Sequence, residues 1–396
     1  MTMMRTFAYR SYPSKIQESV LARNLCFCCQ LYNAAIEQRR YAAKSNQSIS
    51  YRLQQNQLPE LKQGIPEFRL VHSQVLQDVL RRVDRAYANF FNRLGRRSKG
   101  EKIRAGYPRF KPDLRYNSIT YPQAQRFQIV DGHITLPKIG KLRVFMHRDP
   151  VGEIKTMTVK RDSVGDWHIS LTVELPDVAL KASKTANGVD LGVIKLVQST
   201  TGEFVEHPRF FLKSEEKLRR AQRQLDRKVD GSRNREKARV KVAKIHRKIR
   251  RQREDLLHKV SKELVSRADL MVFEDLPIAK MLGNEYLAKS IHDASWGKLL
   301  RYASYKASSA GKRVVRVDPR GTTCDCACGE RLRLPLSNRV FSCPKCGLTI
   351  DRDLHGAFGT LRKIGWEAAE FTPVEMKPLL VAKPASFVIE TGSPKQ

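Results

Sequence analysis

The sequence predicts an α+β multidomain chain: N-terminal helices with an antiparallel β-barrel, then an α/β domain interrupted by a cysteine module. Three observations predict it. Apolar residues recur at helical spacing from Lys15 to about Ala43 and from Val71 to Leu94. Across residues 117–177 the period shortens to two, in short runs separated by glycine turns. Beyond Pro176, apolar strands alternate with helical stretches, and five of the eight cysteines cluster from Cys324 to Cys346.

A strand over 5–11 opens the chain. The helix from Lys15 follows Ile16, Val20, Leu21, Leu25, Leu31, Tyr32 and Ala35. Its cysteines, Cys26, Cys28 and Cys29, read as core residues because no partner ligands lie near them in sequence. A second helix runs through Val75, Leu76, Val79, Leu80, Val83, Ala86 and Phe90. A basic stretch, Gly95 to Arg115, follows. Alternation then marks strands at Arg126–Val130, His133–Leu136, Lys141–Phe145, Ile154–Lys160 and Trp167–Glu174. In the second half, strands are expected within 187–199, at Leu270–Phe273 and at Arg313–Val317. Helices are expected over 213–269, Ser295–Ala310 and Asp353–Ile364. The expected domains are 1–180, with a helical region inserted at about 15–95, and 181–366, with the cysteine module inserted at 320–350. Residues 367–396 hold four prolines and no periodicity, and are expected to be a disordered tail.

Charge narrows the function. Lys+Arg number 74 against 40 Asp+Glu, a formal net charge of +34. Between Lys213 and Lys262 alone there are 20 Lys/Arg and 7 Asp/Glu, a net of +13. Such a surface repels itself unless it meets a polyanion, and nucleic acid is the natural one. Lys241, Lys244, Arg247 and Lys248 are the candidate contacts in this stretch. No signal-peptide pattern or 18-residue apolar run is present, which gives the bacterial cytosol or nucleoid as the expected location.

Three acids stand in matching contexts. Asp190 ends the apolar run Asn187-Gly188-Val189, and Glu274 ends Met271-Val272-Phe273. Asp353, two residues after Asp351, opens the last helix. Each alone has an ordinary reading as a turn or cap residue. Brought to one sheet edge, they would hold two Mg²⁺ or Mn²⁺ ions, which prefer hard oxygen ligands and serve phosphodiester hydrolysis.

Gly188-Val189-Asp190-Leu191-Gly192, Glu274-Asp275-Leu276 and Asp351-Arg352-Asp353 resemble the three RuvC motifs of TnpB, the transposase-associated protein of bacterial insertion sequences. Gly106-Tyr107-Pro108-Arg109-Phe110-Lys111 and Ser290-Ile291-His292-Asp293-Ala294-Ser295-Trp296 extend the likeness across roughly residues 5–365. The family is in turn similar to compact type V CRISPR effectors. The resemblance implies a wedge-like barrel, an RNase H-like (RuvC) nuclease domain and a zinc ribbon. It also implies catalysis by Asp190, Glu274 and Asp353. The implied partners are a guide RNA from the transposon end and double-stranded target DNA, with a flanking motif read near Tyr51, Gln74 and Gln77. The chain departs from the family at His355-Gly356-Ala357, where Asn-Ala-Ala is usual. A nuclease-inactive RNA-guided repressor and a DNA-joining transposase are the competing readings.

Cys343-Pro344-Lys345-Cys346 is a C-x₂-C zinc knuckle. Its partner pair lies among Cys324, Cys326 and Cys328, which contain no C-x₂-C. Chelate spacing favours Cys324 with Cys328, leaving Cys326 as the alternative to Cys324. One structural Zn²⁺ is expected.

Overall fold

The computed structural model describes residues 2–124, 127, 129–335, 337–366 and 375–379. It contains two compact units, meeting in sequence at Asp177/Val178.

In the first unit, strand β1 (Thr2–Tyr12) pairs antiparallel along its length with β7 (Trp167–Pro176) and, at its end, with β5 (Gly140–Phe145). Strands β2 (Ser118–Tyr121), β3 (Ile129–Val130), β4 (His133–Leu136) and β6 (Glu153–Arg161) complete a seven-stranded sheet ordered β2-β6-β7-β1-β5-β4-β3. The expected barrel is a half-barrel: among the described residues its end strands, β2 and β3, do not pair. Alternation fixes its buried face, with Trp167, Ile169, Leu171 and Val173 inward.

That face packs against α1 (Lys15–Lys44), α2 (Tyr51–Asn56), α3 (Leu58–Gly64) and α4 (Ser73–Ser98). Ser14 starts α1 with a capping box: its hydroxyl accepts from Gln17 N, and the Gln17 side chain accepts from Ser14 N. The i, i+4 run Leu21, Leu25, Cys29 and the neighbouring Cys28 and Tyr32 then point into the core. Burial pushes the Cys28 and Cys29 thiols up to about 12, so both are packing groups.

In the second unit, β8 (Ala186–Asp190), β9 (Lys195–Ser199) and β10 (Glu203–Glu206) form an antiparallel meander. Strands β11 (Leu270–Glu274) and β12 (Arg313–Val317) add in parallel beside β8. The connections carry α5 (Phe210–Asp226) with α6 (Arg233–Arg267), then α7 (Ile278–Met281), α8 (Glu285–Ala294) and α9 (Trp296–Ser309). After β12 comes the cysteine module, whose hairpin β13 (Val340–Ser342) and β14 (Thr349–Asp351) runs straight into α10 (Arg352–Arg362).

One part of the expected disordered tail is ordered. Strand β15 (Lys377–Pro378) pairs in parallel with β10, and Leu379 is buried in the core. Two strand residues and one buried leucine leave no periodicity to read in the sequence. Residues 367–374 and 380–396 lie outside the described residues.

Candidate active site and metal centre

Strands β8 and β11 are buried on both faces and run in parallel, with Val189 opposite Phe273. The next residue on each strand is the acid, so Asp190 and Glu274 emerge side by side at carboxyl strand ends, where open α/β sheets bind ligands. Both are nearly buried, at 8% and 6% exposure.

Helix α10 supplies the third acid. Asp351 caps it, its Oδ1 accepting from Asp353 N (3.0 Å) and Leu354 N (3.1 Å). The helix lies directly on β8 because Gly188 has no side chain. A Cβ at Gly188 would sit 2.1 Å from Ala357 O and 2.5 Å from Thr360 Oγ1. One helical turn beyond Asp353, a Cβ at Gly356 would stand 3.4 Å from Asp190 Cγ. The Asp190 carboxyl therefore faces α10 at Gly356, one turn on from Asp353.

Electrostatics report the convergence. Burial raises the Asp190 carboxyl well above the usual range, and the charges of Glu274 and then Asp353 raise it further. Burial also raises Glu274, against a hydrogen bond from Thr322 that favours the ionised form. Asp353 is raised by burial and by Asp351, opposed by Lys195, Arg339 and Arg352. Lys195 Nζ is 3.0 Å from Asp351 Oδ2 and 3.8 Å from Asp353 Oδ2. Acids that oppose one another's ionisation in a water-poor site suit divalent cations, and all the donors here are hard oxygens. Their donor atoms are spread more widely than those of a single-ion cage, since among the described residues only a cysteine set gathers three or more ligand atoms within 4.8 Å.

That cysteine set is Cys326, Cys328, Cys343 and Cys346. The sulfurs of Cys326 and Cys346, and those of Cys328 and Cys343, are 3.6 Å apart. Tetrahedral Zn²⁺ with ~2.3 Å bonds places sulfurs about 3.8 Å apart. The donors fit a closed structural zinc site. Burial pushes the Cys326 thiol up to about 12. In Cys343 burial raises the thiol, but the backbone N–H groups of Cys346 and Lys345, together with the thiols of Cys346 and Cys328, bring it down to about 7. The preference for Cys324 is corrected: it lies outside the set. Cys324 N bonds Gly321 O in the preceding turn, and Gly329 N bonds Cys326 O in the next one. Gly329, at φ 85°, reverses the chain there, and that reversal turns Cys326 and Cys328 inward together.

His355, at the departure from the family pattern, belongs to the module's core. It is fully buried and stacks on Phe341, ring centroids 3.7 Å apart at 10°. Burial and then Arg362 lower it to about 3, so it is neutral.

The nucleic-acid candidates fall on two surfaces. Gln74, Gln77 and Arg81 share one face of α4, with Tyr51 at the start of α2; Arg81 Nε donates to Tyr51 Oη at 3.1 Å. Gln74 Nε2 donates to Gln123 Oε1 at 2.7 Å. In the other unit Lys241, Lys244 and Lys248 are exposed on α6 and Arg247 is half-buried. Sequence reasoning missed Arg81, Lys195 and Thr322. A loop threonine and single basic residues carry no periodicity or ligand spacing that would mark them.

The chain matches two family models: one described as "Probable transposase" (OrfB of IS605) over residues 168–285, and the Cas12f1-like TNB domain over residues 296–359. Two relatives carry the name "putative RNA-guided DNA endonuclease". The one from Streptomyces pristinaespiralis is 34% identical over 362 residues, covering 89% of this chain and 87% of the relative. InsQ of Escherichia coli K12 is 32% identical, covering 90% and 91%. The chain belongs to the TnpB family. It is thus an RNA-guided DNA endonuclease by family, related to Cas12f. A solved Cas12f1–sgRNA–target DNA complex shares the TnpB chain's fold, with a TM-score of 0.55 at 13% identity, covering 91% of this chain and 98% of that one. Among the described residues of this TnpB protein, no helix is long and apolar enough to cross a membrane.

Proposed function

We propose that this TnpB protein binds a guide RNA from its transposon end, pairs that RNA with target DNA, and cuts the DNA with Asp190, Glu274 and Asp353. The observation that carries the reading is geometric: parallel neighbours β8 and β11 end in buried Asp190 and Glu274, and α10, which carries Asp353 in its first turn, packs against Asp190 at Gly356. Bound there, two Mg²⁺ or Mn²⁺ ions would supply an activated water and neutralise the leaving oxygen of a phosphodiester. The chain's own residues prepare the site. Asp190 and Glu274 are fixed by strands, Asp353 by a capped helix, and Lys195 and Arg339 balance Asp353. Pairing carries sequence while the protein reads a short flanking duplex, for which Tyr51, Gln74 and Gln77 are the candidates. Lys241, Lys244, Arg247 and Lys248 line the guide or heteroduplex channel by charge. Purified protein with guide RNA, target plasmid and Mg²⁺ tests this: Asp190→Ala is expected to abolish cutting and keep RNA and DNA binding. Target binding without any nick from the unaltered protein would favour the repressor reading instead.

A further inference from the structure

The cysteine module reaches the carboxylates by two legs. The outgoing leg is known from the fold: hairpin β13–β14 ends in Asp351, which caps α10 and sets Asp353. The incoming leg, residues 319–326, runs from the end of β12 to the first cysteine of the cluster. It crosses α10 so closely that a Cβ at Gly359 would sit 2.1 Å from Thr322 O, and one at Gly356 2.9 Å from Thr323 Cγ2. At this crossing Thr322, 2% exposed, donates its hydroxyl to Glu274 Oε1. The same hydroxyl also lies 3.0 Å from Pro319 O. It has one proton and serves one acceptor at a time, and an ionised Glu274 is the stronger of the two. Four residues on, Cys326 is held in the sulfur cluster, and Arg362 Nη2 of α10 bonds Asp325 O at 2.7 Å. The leg is thus pinned at Asp325 and Cys326 after Thr322, and before Thr322 it departs from β12, which pairs with β11 as far as Val317.

Building on the two-ion reading, we propose that Thr322 is a positioning residue: it orients the Glu274 carboxylate for metal, and through it the cysteine module controls both Glu274 and Asp353. Groups that hydrogen-bond a metal-ligating side chain typically change metal affinity or activity by about 10–100-fold when lost. Thr322→Val keeps the shape and removes the donor; Thr322→Ser keeps the donor and removes the methyl.

Mn²⁺ uptake by the zinc-loaded full chain, followed by electron paramagnetic resonance with Asp190→Ala as blank, gives a readout independent of cutting. The expected result is Mn²⁺ binding weakened about 10–100-fold in Thr322→Val and restored in Thr322→Ser, with guide-RNA affinity unchanged in both. If Thr322→Val fails to fold, Thr322→Ala against Thr322→Ser draws the same distinction. Wild-type Mn²⁺ affinity in the Val or Ala variant overturns the proposal, as does a Ser variant as weak as Val. Mn²⁺ uptake by the unaltered protein that Asp190→Ala leaves intact would overturn the two-ion reading itself, and this proposal with it.

Discussion

Gly188 is one of the tightest points of the candidate site. Its missing side chain lets α10 touch β8, and that contact brings Gly356, one turn on from Asp353, against Asp190. Gly188→Ala drives a methyl into Ala357 O, a backbone atom that moves only with its helix. The expected cost is ~1–3 kcal/mol of stability with loss of cutting, read by thermal unfolding and plasmid cleavage. The cysteines admit an equally local test. Cys326→Ser is expected to lose bound zinc and Cys324→Ser to retain it, measured by native mass spectrometry, because the Cys324 sulfur lies outside the cluster. Sequence spacing favoured Cys324, since a chelate loop of three residues is less strained than one of one. What spacing does not show is the chain reversal at Gly329, and the reversal decides which sulfurs meet.

Among the elements, α5 and α6 project the basic surface, and a buried acid ties them down. Asp293 of α8 accepts from Arg253 Nε of α6 at 2.7 Å and from Phe211 N at the start of α5 at 3.0 Å. Asp293→Ala leaves the Arg253 side chain, 11% exposed, without this carboxylate, at an expected cost of ~3–5 kcal/mol in unfolding free energy. The Ser290–Trp296 motif, legible in the sequence only as a family likeness, thus has a structural reason. Neutralising Lys241, Lys244 and Lys248 to Gln is expected to weaken guide-RNA binding and flatten its salt dependence, each lost phosphate contact reducing the log–log slope by ~0.7–0.9. An unchanged slope in a filter-binding titration would place the RNA elsewhere. The long helices were readable because many residues repeat one period, and β8, β11 and β12, five residues each, because they hold short apolar runs. Strands β10 and β15 and helices α2 and α3 escaped notice: each is seven residues or fewer, too short for a period to emerge.

For the whole second unit, the order of strands is what turns distant sequence into one site. Three acids spread over more than 160 positions converge because β8 and β11 are parallel neighbours and α10 returns across them. Their contexts were legible in the sequence as strand ends and a helix start; Thr322 was not, since its role depends on a loop crossing a helix. Cleavage of target plasmid by the purified guide complex in Mg²⁺ tests the convergence most directly, with Asp190→Ala, Glu274→Ala and Asp353→Ala alongside. The expected result is cutting by the unaltered protein and none by any of the three, with RNA and target binding preserved in all. Sustained cutting by any one of the three variants would contradict the shared site.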